Sequence, residues 1–210
     1  RAGLFSLFLL LASRLLGLLR ESALAATFGT TGMGDIVVLM LTLPDWLTAV
    51  LASGAMAYVL IPHWAAQGVK QQAQAQRRVA HGFLAFSLVL AVAIYAFRTT
   101  LVSWLIGGLP ENLVHMAESA LGWSAVALPA AVLAAVWSTR LIFEKDFIAA
   151  YAASLLVNGV LLIALHQFSF HAANGITLLG GYLVIAMCIR LLWLRLRLSY
   201  VSVKTNDLSA

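Results

Sequence analysis

GLFSLFLLLASRLLGLLRESALAATF, Gly3 to Phe28, decides the class of this protein. Across 26 residues the only charges are Arg14, Arg20 and Glu21. A hydrocarbon core about 30 Å thick takes about 20 mainly apolar residues per helix, and this run is long enough. It does not alternate polar with apolar, as a barrel strand of about 10 residues would. Nor does it read as a cleaved signal, because the apolar length is too great and no small-residue cleavage site follows a short core.

Working outward, five more runs of the same kind follow at 34–66, 79–106, 112–143, 147–168 and 173–196. Turn-rich Gly29-Thr30-Thr31-Gly32 closes the first span, 3–28, and Gly107-Gly108-Leu109-Pro110 closes the third. No polar stretch is long enough for a separate soluble domain. The expectation is an all-α membrane protein with six transmembrane helices forming a single domain over 1–210. Composition agrees: 62% of the 210 residues are hydrophobic and 10% charged, with mean hydropathy +0.96. A soluble domain is about 25% charged, and at 10% the chain could not cover a water-facing surface of its size. One Cys and four Pro, with no Gly repeat, exclude a disulfide scaffold and a collagen-like fibre.

The net charge of +5 is distributed as a topology signal. Lys70, Arg77 and Arg78 follow span 2, Arg140 and Lys145 follow span 4, and Arg195, Arg197 and Lys204 follow span 6. Loops 1–2 and 5–6 carry no Lys or Arg, and loop 3–4 has none beyond Arg98. Both termini are therefore expected in the cytoplasm, and nucleic acid is not an expected partner. Gln67, Gln71, Gln72, Gln74 and Gln76 read as a solvated connector or short surface helix.

Charges inside the spans are the informative residues. A guanidinium at mid-bilayer costs about 2.5–3.5 kcal/mol on insertion scales, so it normally faces a cavity or a partner. Arg20 lies about 9 Å beyond Arg14 and about 120° around the helix, so the two cannot share a narrow stripe. Glu21 returns to nearly the face of Arg14. Two readings stand: an internal Arg–Glu network that locks span 1 to its neighbours, or an anion-binding cavity, since Arg matches phosphate in a bidentate geometry. In span 2, Pro44 removes a helix hydrogen bond, and Asp45 next to it is a counter-ion or a coupling carboxylate. Its expected partner is Arg20, or else Arg14, because spans joined by a short turn run antiparallel and bring them to similar depth. Asp35 sits where the helix dipole favours an acid.

His115 and Glu118, one turn apart, read as a solvated helix end rather than a metal site. His166 and His171 flank loop 5–6 as interfacial residues. The tryptophans, including Trp46, Trp64 and Trp104, are mostly placed as interface anchors. There is no Walker-type loop, GxSxG or His/Cys cluster. No enzyme chemistry, cofactor or metal is expected.

Ser13-Arg14-Leu15-Leu16-Gly17-Leu18-Leu19-Arg20-Glu21, followed by Phe28-Gly29, Asp35, Leu43-Pro44, Gly54-Ala55 and Ile61-Pro62, resembles the start of the MurJ/MviN family. These are lipid II flippases of the multidrug/oligosaccharidyl-lipid/polysaccharide exporter superfamily. The resemblance is strong over 12–62 and looser beyond, where Asn158 also matches. It implies that spans 1 and 2 line a cationic cavity for the pyrophosphate of an undecaprenyl-linked precursor, with Arg14, Arg20 and Asp35 binding substrate and Asp45 or Glu21 serving as counter-ion or coupling group. Two departures matter. Basic and acidic positions later in span 2 read Thr42, Thr48, Ala49 and Ser53 here, which lowers the cavity charge. The chain also resembles a single N-terminal lobe, and Arg1 in place of Met points to trimmed ends.

The resemblance implies a lipid-linked oligosaccharide flippase, or part of one, in a bacterial inner membrane. It would carry a polyprenyl-pyrophosphate-linked glycan to the outer leaflet for cell-wall synthesis, in contact with membrane lipid and a second lobe. The rival readings are a non-transporting lobe that assists envelope polysaccharide assembly and a cation-coupled exporter of the same superfamily, which would want an acidic lumen.

Overall fold

Apolar runs without breaking turns become helices because a backbone in hydrocarbon must satisfy every N–H and C=O within its own segment. The computed structural model describes residues 2–29, 32–51, 61–65, 68–106, 108–168 and 175–207, and those in regular structure are all helical. In chain order they are α1 (Ala2–Phe28), α2 (Gly32–Leu51), α3 (Ile61–Ala65), α4 (Val69–Ala96), α5 (Arg98–Leu105), α6 (Glu111–Phe143), α7 (Phe147–Phe168) and α8 (Gly175–Asp207). Five of them, α2, α4, α6, α7 and α8, are long and apolar enough to cross a membrane. α1 is 27 residues long and carries Arg14, Arg20 and Glu21.

Several boundaries differ from expectation. Of span 2, expected over 34–66, the structure describes α2 as far as Leu51 and the short helix α3 at 61–65; 52–60 lie outside the described residues, Ser53, Gly54 and Ala55 among them. Span 3 was expected at 79–106, yet α4 begins at Val69 and breaks at Phe97 before α5. Gln71, Gln72, Gln74 and Gln76 thus lie in the first turns of α4, Gln71 and Gln74 exposed as in the surface-helix alternative, rather than in a connector. One face explains why: Gln76 is buried, and Gln72 donates from Nε2 to the Trp64 carbonyl at 2.8 Å. Gln67, Lys204's side chain and His171 lie outside what is described.

α6 is the central helix, with α2, α4 and α8 against it, while α1 packs mainly on α7. Its small residues (Ala117, Ala120, Ala127, Ala131 and Ala134) let neighbours approach closely, as membrane helix packing requires. Gly180 of α8 is the tightest such point: a Cβ there would stand 2.1 Å from Trp123 Cγ.

Pro44 illustrates how the bundle repairs a helix defect. Without an N–H, Pro44 leaves the Met40 carbonyl unpaired one turn back. Ser124 Oγ of α6, buried with Met40, donates to that carbonyl at 2.8 Å.

The basic end of the bundle is tied together by side chains. Arg140 donates to Glu144 and to Gln72 Oε1, the latter at 2.8 Å, and lies over the Trp64 and Phe143 rings. Arg197 Nε reaches Asp146 Oδ2 at 2.6 Å, while Asp146 Oδ1 caps the Ala149 N–H. The chain turns there through Lys145 at φ 63°. Trp64 is fully buried in this network, so the expected interface anchor is a core residue; Trp46 and Trp104 are exposed.

Candidate functional site

The charged residues within the spans owe their positions to three packing stripes. On α2, Ile36, Val37, Met40, Leu41, Pro44 and Thr48 are buried, a helical repeat facing α6. Asp45 follows Pro44 and falls on the edge of that stripe. On α8, Leu179, Leu183, Ala186, Met187 and Leu194 are buried, and Arg190 occupies the place in the same stripe where another apolar residue would be expected. On α1, Ser13 and Gly17 face Asn158 of α7, whose Nδ2 lies 3.4 Å from the Ser13 carbonyl.

Arg20 pairs with its neighbour Glu21, Nη2 to Oε1 at 2.6 Å and Nε to the same oxygen at 3.2 Å. The Arg20 side chain is 12% exposed and that of Glu21 48%. Of the two readings of this trio, the Arg–Glu contact is present, but it lies within α1 and locks no neighbour. Arg14 was expected to point into the bundle or a cavity. It is not packed into the bundle: it lies exposed on α1, about 100° around from Ser13, and forms no hydrogen bond or ion pair among the described residues.

Asp45 was expected to pair with Arg20 or Arg14. It pairs with Arg190 of α8, Oδ1 to Nη1 at 3.9 Å. Counted from the helix ends Asp45 is level with Arg14 rather than Arg20, and depth in any case leaves the helix rotation free; α2 turns Asp45 toward α8. Arg190 is the residue that sequence reading missed. An Arg in the apolar repeat of a membrane-crossing helix was the available signal. Asp35 is exposed in the first turn of α2, with no ion pair among the described residues.

Arg14, Asp45 and Arg190 share a level. Each is 13 to 15 residues from the helix end opposite the basic network (Phe28, Gly32 and Gly175 respectively), or about 20–22 Å at 1.5 Å per residue. Arg20 lies about 12 Å from Phe28 on the same count. α2 touches α1 and α8 only over short stretches, so the Asp45–Arg190 pair spans a thinly packed seam. Each of these guanidiniums offers a planar fork of N–H donors suited to an oxyanion.

Thr42 and Thr48 turn their hydroxyls onto their own helix, Thr42 Oγ1 to the Val38 carbonyl at 2.7 Å and Thr48 Oγ1 to the Asp45 carbonyl at 2.9 Å. At the other end of the bundle His115 Nδ1 lies 3.6 Å from Glu118 Oε2, and Glu118 borders an open cavity of about 380 Å³ with Tyr95, Arg98 and Trp123.

A probable lipid II flippase MurJ from Rickettsia prowazekii (strain Madrid E) is 33% identical over 94 residues, 45% of this chain. Over that stretch the chain is similar to MurJ. The match covers only 18% of the length of that relative. No protein-family model matches the chain, and no solved structure matches it.

Proposed function

We propose that this chain is a six-helix lobe of a lipid-linked oligosaccharide flippase, with α1 as its sixth crossing. It moves a polyprenyl-pyrophosphate-linked glycan of the lipid II type from the cytoplasmic to the outer leaflet of a bacterial inner membrane, and the basic end of the bundle faces the cytoplasm. The observation that carries this reading is the charged level on otherwise apolar helices, with Arg14 exposed and unpaired among the described residues. A cation at that depth needs an anion or a second protein surface to offset its cost. The partial similarity to MurJ supports the first.

In this mechanism Arg14 and Arg20 receive the pyrophosphate, Arg20 exchanging Glu21 for phosphate oxygens. The half-exposed Glu21 carboxylate then turns to water. The lipid tail stays in the bilayer while the lobe rocks against a second lobe, supplied by further chain, a second copy or a partner. Asp35 and Asp45 are the carboxylates available for ion coupling.

Binding of a polyprenyl pyrophosphate to the protein in lipid nanodiscs tests the reading. Arg14→Gln with Arg20→Gln is expected to weaken binding at least about tenfold, the loss of one charge-assisted contact or more. Unchanged affinity in the double variant refutes it. The self-satisfied hydroxyls of Thr42 and Thr48, where the resembled family has basic residues, favour a second reading, a lobe that assists polysaccharide assembly without transport. Wild-type protein that binds no pyrophosphate lipid selects that alternative.

A further inference from the structure

Arg190 is an arginine with almost nothing to hold. It stands in the packed stripe of α8, its Nε is buried without a hydrogen-bond partner, and among the described residues it forms no hydrogen bond at all. Its ion-pair partner among the described residues is Asp45, at 3.9 Å, too far for a hydrogen bond. A guanidinium carries five N–H donors in a fixed fork. The buried Nε–H is unmet, which is costly, and a carboxylate at 3.9 Å does not supply it, while the side chain as a whole remains 20% exposed and so open to a ligand. Asp45, by contrast, is 42% exposed in its side chain, so it has room to move aside. Arg190 lies level with Arg14, and α2 and α8 are only thinly packed where the pair joins them.

We propose that Arg190 is a third anion-binding residue of the site described above, guarded by Asp45, and that a phosphate oxygen displaces the Asp45 carboxylate from it. This rests on the flippase reading and extends it to the α2–α8 seam. In the unliganded protein Asp45 neutralises Arg190 at long range and holds the seam closed. An arriving phosphate fills the guanidinium fork with two short hydrogen bonds, which Asp45 at its present distance does not provide. Asp45 then swings to the exposed flank of α2, and the link between α2 and α8 is released. The ligand class is a phosphate or pyrophosphate monoester oxyanion; the carboxylate acts as its competitor.

The experiment measures binding of polyprenyl pyrophosphate, inorganic pyrophosphate and phosphatidylglycerol to the full chain in neutral-lipid nanodiscs. Asp45→Asn is expected to tighten polyprenyl pyrophosphate binding about tenfold, and Arg190→Gln to weaken it by a similar factor. In the double variant the gain from Asp45→Asn disappears, because the competitor acts only through Arg190. Inorganic pyrophosphate is expected to follow the same order at weaker affinity, and phosphatidylglycerol to follow none of it. If all three ligands respond alike, the site recognises any anionic headgroup and the pyrophosphate assignment falls. If Arg14→Gln weakens binding while Asp45→Asn and Arg190→Gln leave it unchanged, the flippase reading stands and this inference is overturned. If no variant alters binding, both fall. Should Arg190→Gln fail to fold, Arg190→Lys decides: it keeps the charge but loses the fork, so affinity equal to wild type overturns the proposal.

Discussion

Removing the Ser124 hydroxyl should unmask the defect that Pro44 leaves in α2. The Met40 carbonyl lacks its helical N–H because residue 44 is proline, and Ser124 Oγ supplies the missing donor at 2.8 Å in a fully buried setting. Ser124 Oγ also lies 3.1 Å from the Ala120 carbonyl. A hydroxyl has one proton to give, and Ala120 already has its helical donor one turn on. Ser124→Ala therefore strands Met40. An unmet buried carbonyl costs about 1–3 kcal/mol in soluble proteins, while hydrogen bonds between membrane helices average about 0.6 and reach about 1.7 kcal/mol. A loss of about 1 kcal/mol is expected, read as reversible unfolding in mixed micelles by tryptophan fluorescence. Pro44→Ala restores an N–H at 44, so Ser124→Ala in that background should cost close to nothing. The coupling in this double-mutant cycle should be about 0.5–1.5 kcal/mol. Packing lost with the proline ring cancels in the cycle. Equal costs of Ser124→Ala in both backgrounds would refute the repair.

Two further outcomes are expected at the packing seams. Gly180→Ala places a methyl 2.1 Å from the Trp123 ring, which cannot yield without leaving its rotamer, so a loss of about 2 kcal/mol or more is expected in the same unfolding assay; a neutral result would mean that α6 and α8 separate easily. Arg140→Ala leaves the Glu144 carboxylate and the Gln72 oxygen without their donor at the basic end, so about 3 kcal/mol should be lost. Arg140→Lys should recover only part of it, because a single ammonium does not reproduce two directed bonds and a stacked plane.

The amino-acid order by itself settled that the chain is helical and built for a membrane. Hydropathy is a property of consecutive residues, and a run of apolar side chains in lipid has only its own backbone to bond with. The order also settled that Arg14 and Arg20 diverge around α1, since rotation per residue is fixed; accordingly one is sheltered by its neighbour Glu21 and the other is exposed. Helix ends were legible at Phe28, Phe143 and Phe168, where turn residues or charges follow. The start of α4 was not legible, because apolar and polar residues intermingle there and α4 begins at Val69, well before the apolar run does.

Tertiary structure decided which side chains meet. Counting residues from a turn gives an approximate depth along a helix, but it leaves rotation about the axis and the choice of neighbouring helix undetermined. Those follow from where the small residues of α6 allow α2 and α8 to dock. Docking turns Asp45 to Arg190, a residue 145 positions away in the chain and on no shared turn. The same cause buries Trp64, whose sequence neighbourhood is that of an interface anchor, beneath Arg140 and Phe143. A long-range ion pair in a membrane bundle is set by helix azimuth, and azimuth is fixed only when all the packed faces are satisfied together.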